Sequence, residues 1–280
     1  MISPTAEYSR VLFGVLLLAV VALFVLRAVR KDRDEYQRFK SLTRTEDRQR
    51  TFRKWLGQSA AVFGGGAAVL LALLWQHVGL FQRAVDAVPL VRGFRRWFAD
   101  TGDLGDGIVI GLAVAIVGGT VLAVFAARNT TEVLAVGDIT ALLPRNRVEL
   151  GYGAALSVNA GVSEELMFRL ALPTLVFAVT RNPAVAIVTA VVIFALLHLY
   201  QGVAGIIGSA VIGALLTAVF VASGSIVAAM TVHALIDLRS LVLIPLFVNR
   251  VWKTHAAAPI PAPSQDSNSP VSDGHSAAEL

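Results

Sequence analysis

VLFGVLLLAVVALFVL, residues Val11–Leu26, runs sixteen positions without a charged side chain. Wound as a helix at about 1.5 Å per residue, it covers most of the hydrocarbon thickness of a bilayer. Ala60–Leu74 and Ile108–Ala127 are apolar runs of the same kind. Hydrophobic residues make up 56% of the 280 positions and charged ones 15%, with a mean hydropathy of +0.69, so lipid is the expected solvent for much of the surface. Transmembrane barrels alternate polarity residue by residue along each strand, and no such alternation occurs in these runs.

The expected fold is an all-α polytopic membrane protein with about seven transmembrane helices. They are read at Tyr8–Leu26, Ser59–Leu80, Gly107–Ala127, Gly151–Val179, Pro183–Ile206, Ile207–Ala222 and Ser225–Val248. Residues 1–58 form a first helix plus a basic cytoplasmic loop, and 59–149 hold helices two and three with an interfacial segment at Gln82–Asp100. A core follows at 150–250. The Pro- and Ser-rich remainder, 251–280, has too little apolar material to pack and is expected to be a disordered tail.

Eleven of the 24 Lys and Arg residues fall between Arg27 and Lys54. The positive-inside rule puts that loop in the cytoplasm and the amino terminus outside; seven crossings then leave Arg250 and Lys253 inside. Charge concentrated beside a span signals orientation and anionic lipid rather than nucleic acid, so no nucleic-acid partner is expected. The first span reads as a retained anchor, because no small-x-small pattern closes it and Arg27, Arg30, Lys31 and Arg33 follow it. Composition rich in Ala, Val and Arg points to a bacterial plasma membrane. With no cysteine, disulfides, thiolate metal sites and a cysteine nucleophile are all excluded.

Ionisable side chains inside a span cost about 2.5–3.5 kcal/mol each, and they cluster here on three helices. In Ser163-Glu164-Glu165-Leu166-Met167-Phe168-Arg169, Glu165 and Arg169 are i and i+4 and can pair. Glu164, about 100° around the helix, is left unpaired and suited to proton transfer. Phe194 and His198 form a second i, i+4 pair; His233 and Asp237 form a third. A polar network that merely holds helices together is the lesser alternative reading of such groups. Bringing both histidines to one depth requires an intervening helix of about 16 residues, eased by Gly202, Gly205, Gly208 and Gly213.

Glu-Glu-x-x-x-Arg at Glu164, Glu165 and Arg169, then Phe-x-x-x-His, then His-x-x-x-Asp, resemble the CPBP family of intramembrane proteases, which comprises CAAX prenyl endopeptidases of the Ras-converting type and bacteriocin-processing relatives. Gly224-Ser225-Ile226 resembles that family's approach to its last motif. The resemblance covers about Leu150–Val248 and implies an endopeptidase with its catalytic residues on the last four helices. It also implies that Glu164 and His198 activate water, that His233 and Asp237 stabilise the oxyanion, and that Glu165 and Arg169 pair structurally. Substrates are then membrane-associated proteins or leader peptides. A divalent metal such as zinc is open: Glu164, His198 and His233 could ligate it, while the missing His-Glu-x-x-His motif tilts the expectation toward metal-free hydrolysis. A catalytically dead scaffold, or a proton- or metal-coupled transporter, are the alternatives; the lack of an internal repeat weighs against the transporter. Substrate identity and oligomeric state are not encoded in any motif.

Overall fold

The computed structural model describes residues 7–100, 138–247 and 251, with isolated positions between 107 and 119. Helix accounts for 91% of the structure and no strand occurs among the described residues, which settles the choice between helices and a barrel. The expected third span, Gly107–Ala127, and the expected tail lie largely outside the described residues.

The helices are α1 (Glu7–Leu26), α2 (Arg33–Lys40), α3 (Thr45–Ser59), α4 (Gly66–Leu73), α5 (Trp75–Ala87), α6 (Pro89–Asp100), α7 (Arg147–Glu165), α8 (Leu172–Thr180), α9 (Pro183–Leu196), α10 (Gly202–Ser223), α11 (Ile226–Leu238) and α12 (Ile244–Phe247). Among the described residues, four π-helical turns, Arg27–Asp32, Ala60–Gly65, Leu166–Ala171 and Arg239–Leu243, join neighbouring α segments into longer rods. Four of the resulting helices among the described residues are long and apolar enough to cross a membrane: Ser9–Lys40, Thr45–Leu73, Leu199–Ser223 and Ile226–Phe247. Pro183–Leu196 is apolar but shorter. The rod from Arg147 to Thr180 is not among the four, since Glu164, Glu165 and Arg169 interrupt its apolar run. Only 17% of the apolar window of Ser9–Lys40 is buried. Side chains such as Val11, Val15 and Leu18 therefore face outward, an arrangement stable in lipid and unfavourable in water.

Three expectations are corrected. The basic segment from Arg27 to Lys54 is not a loop: helix continues to Lys40, turns over a few residues, and resumes at Thr45. The boundary expected between Ile206 and Ile207 falls instead at Leu197–Gln201, so α10 is 22 residues long, enough to cross a bilayer without being shortened. Gly202 makes that break possible, at φ +79°, a backbone region that side chains with a Cβ avoid. His198, expected within a helix, consequently sits just beyond the end of α9.

The aromatic rings of Phe24, Phe63, Phe168 and Phe194 form the interior, each 5.4–5.9 Å from a neighbour in the set. A second cluster of Tyr36, Phe39 and Phe52 packs around Arg48. The buried guanidinium of Arg48 reaches Glu149 at 3.0 Å and donates to the carbonyls of Ala141 and Leu143, tying α3 to the first turn of α7. That turn is capped by Asn146, whose side-chain oxygen accepts from the Glu149 amide.

Gly153, Ser157 and Gly161 form a buried small-residue stripe at i, i+4 and i+8 on α7, and α11 lies against it. A Cβ on Gly161 would stand 2.8 Å from the Met230 carbonyl and 2.9 Å from the Ala234 amide nitrogen, both backbone. Hence Gly161→Leu is expected to destabilise the protein by about 1–3 kcal/mol or more, seen as a lower melting temperature in detergent. Gly151→Ala on the same helix, where a Cβ meets nothing within 4 Å, serves as the silent control.

Candidate active site

Close packing of α7 on α11 puts Glu165 opposite His233. The His233 Nδ1 donates to Glu165 Oε1 at 2.8 Å, while Arg169 Nε stands 3.0 Å from Oε2. The latter is an ion pair without the alignment of a hydrogen bond, because Oε2 and the three guanidinium nitrogens find no hydrogen-bond partner among the described residues. The Arg169 guanidinium instead lies over the Phe194 ring, 5.3 Å from its centroid. The expected Glu165–Arg169 pair is present, and it has a third member that spacing along one helix did not reveal.

Helix α9 ends at Leu196, leaving carbonyls of its last turn without amide partners. The His198 side chain meets one of them: its Nδ1 lies 2.9 Å from the Phe194 carbonyl oxygen. A carbonyl only accepts, so Nδ1 carries the proton, and in the neutral ring Nε2 is left as a base. The imidazole is flanked by Phe194, at 4.9 Å, and by Tyr200, stacked at 6.2 Å with 26° between ring planes. His233 Nε2 is 3.7 Å from Asp237 Oδ2, one turn further along α11. Gly224 ends α10 in the left-handed conformation, and Ser225 caps α11 by accepting from the Ala228 amide. The Gly-Ser pair thus sets where the helix carrying His233 begins.

A cavity of about 410 Å³ is lined by Glu164, His198, Tyr200, His233 and Asp237. It receives Glu164 while Glu165 remains fully buried between its partners. So four of the six residues singled out from sequence face one cavity, and the other two brace it from behind. Arg27, Asp32 and Arg239 also line it. In the sequence Arg27 counted only as an orientation charge; its spacing of five from Asp32, matching one π turn, was the available signal.

Among the described residues, no group of three or more His, Asp or Glu side chains is placed to hold a metal ion. His198 and His233 each commit Nδ1 to an oxygen, which leaves Nε2 as the nitrogen directed to the cavity's chemistry.

Residues 146–239 match the family model described as Rce1-like, type II CAAX prenyl endopeptidase. That range runs from the Asn146 cap to the first residue after α11 and contains all six site residues. No curated protein and no solved structure matches the chain. The apolar helices mark the chain as an integral membrane protein, and its residues 146–239 are similar to the CAAX prenyl endopeptidases, which are peptidases.

Glu165→Gln leaves Arg169 as a buried cation without its carboxylate. Removing one member of such a pair costs about 3–5 kcal/mol. The variant is expected to aggregate or lose its monodisperse peak on size-exclusion chromatography in detergent, and a wild-type profile would contradict this account of Glu165.

Proposed function

We propose that the protein is an intramembrane endopeptidase acting on a membrane-associated protein or leader peptide. The observation that carries this reading is the joint placement of Glu164 and His198 on one cavity, with the His198 Nδ1 proton committed to a backbone carbonyl. Water in that cavity loses a proton to the Glu164 carboxylate, assisted by His198 Nε2, as its oxygen adds to the scissile carbonyl carbon. The carbonyl oxygen gains the negative charge. His233 Nε2 and Asp237 face it from α11; with Nδ1 donating to Glu165, His233 also donates from Nε2 in its imidazolium form, and Asp237 donates when protonated. Collapse of the tetrahedral intermediate expels the amine, which takes up the proton held by Glu164.

No step in this scheme passes through a metal. In chelator-dialysed protein, cleavage of a membrane-anchored substrate is expected to persist, and Glu164→Gln to reduce it by at least about 10³-fold while leaving the melting temperature near wild type. Asp237→Asn should stay within about tenfold, since an amide supplies the donor, whereas Asp237→Leu should be nearly inactive. Undiminished cleavage by Glu164→Gln sinks the assignment of the base. One equivalent of zinc by elemental analysis, lost and regained together with activity, sinks the metal-free scheme.

The same reading includes seven crossings of a bacterial plasma membrane, with the amino terminus outside and the carboxyl terminus cytoplasmic. The cluster of basic residues in α2 and α3 supports that orientation. Single cysteines replacing Ser41 and Ser267 are expected to be labelled by an impermeant maleimide only from the cytoplasmic side; opposite labelling of the two means an even number of crossings.

A further inference from the structure

The family match begins at residue 146, yet Arg27, Asp32, Tyr36, Trp55 and Phe63 line the same cavity as the histidines. One of them reaches a histidine through a traceable set of contacts. The ring of Tyr36, fully buried on α2, meets the edge of Tyr200 at 5.2 Å and 64°. Tyr200 in turn stacks on His198. Backbone contacts run alongside: the Tyr36 hydroxyl donates to the Asp138 carbonyl, the Asp138 amide donates to the Gln201 carbonyl at 3.0 Å, and the Gln201 amide donates to the His198 carbonyl at 2.9 Å. Lys40, one turn beyond Tyr36, pairs with the Asp138 carboxylate, and Gln201 Nε2 donates to the Tyr200 hydroxyl at 2.8 Å.

His198 needs such support. It lies beyond the last turn of α9, so no continuing helix fixes its backbone, and the three-residue 3₁₀ turn Leu199–Gln201 separates it from α10. Its Nδ1 bond to Phe194 fixes one nitrogen but leaves the plane of the ring free to swing about that contact. A near-parallel ring on the Tyr200 side removes that freedom, and Tyr200 itself is held from the far side by Tyr36.

We propose that Tyr36 and Tyr200 are positioning residues for His198, and that the amino-terminal helices are thereby part of the working site rather than an anchor appended to it. This rests on the reading of His198 as a base in peptide hydrolysis.

The experiment uses the full-length protein in detergent or proteoliposomes with a membrane-anchored peptide substrate. It compares Tyr36→Phe, Tyr36→Leu, Tyr200→Leu and the Tyr36→Leu/Tyr200→Leu pair, with Glu164→Gln as the inactive reference. Tyr36→Phe keeps the ring and is expected to stay within about threefold of wild type. Either Leu variant is expected to lower kcat about ten- to a hundredfold with KM little changed, and the double variant to fall no further than the worse single one. In protein labelled at the histidine imidazole nitrogens, the His198 signal, assigned by its loss in His198→Gln, should move from a Nδ1-protonated ring toward a mixture of tautomers in the Leu variants. Wild-type kcat and an unchanged His198 signal in either Leu variant overturn the proposal. So does failure of both Leu variants to fold, which would make the contact one of packing alone. If Glu164→Gln retains full activity, the peptidase reading itself has failed, an outcome distinct from these.

Discussion

A carboxylate with no exposure to solvent has to be matched where it lies, and Glu165 is matched twice, by Arg169 on its own rod and by His233 on another. In the interior the separate desolvation of three ionisable groups is prohibitive; together they are tolerated. That requirement fixes how far apart α7 and α11 stand at this depth, and the Gly153–Ser157–Gly161 stripe is the packing solution that permits the distance. It also fixes rotation. With Glu165 turned into α11, the preceding residue is turned by about 100°, and Glu164 comes to face the cavity.

The same helix carries a second buried acid near its start. Glu149 is held by Arg48, which at once accepts the faces of Phe39 and Phe52 and satisfies two carbonyls of the segment leading into α7. The two acids are sixteen residues apart, so α7 is clamped at points about 24 Å distant along its axis. Buried ion pairs add little net stability compared with apolar residues of similar shape, yet they are intolerant of misalignment. Their contribution here is to orientation: tilt, depth and rotation of α7 are all constrained before any loop is considered.

The helical class and the three motifs were legible because both depend on spacing within one segment. Residues at i and i+4 share a face whatever surrounds them, and Glu165–Arg169 and His233–Asp237 are found so placed. What was not legible depends on partners distant in the chain. Arg48 lies 101 residues from Glu149 and Glu165 lies 68 from His233, and a charge count in a basic segment holds no information about either. The end of α9 was missed for a different reason: His198, Tyr200 and Gln201 do interrupt the apolar run, but the histidine was read as a site residue inside a span, and the left-handed demand at Gly202 is a property of the backbone that composition does not show. The seven-helix count rests on apolar length in a region where the charged residues of the site shorten the very run being measured.

All four π turns contribute to the cavity wall: Arg27 and Asp32 from the first, Phe63 from the second, Phe168 from the third, and Arg239, Ser240 and Leu241 from the last. A π turn closes its hydrogen bonds over five residues where an α turn uses four, so it accommodates one residue more without breaking the rod. Loss of that residue would turn the bulge into ordinary α-helix, with the ends of the rod and the side chains beyond it nearly where they were, so that only the side chains within the turn are re-aimed. The lining of the chamber can therefore be redrawn one wall at a time by single-residue insertions and deletions that leave membrane insertion untouched. In a chain whose outer surface is constrained by lipid, these turns are the places where a change in what the chamber accepts costs the scaffold least.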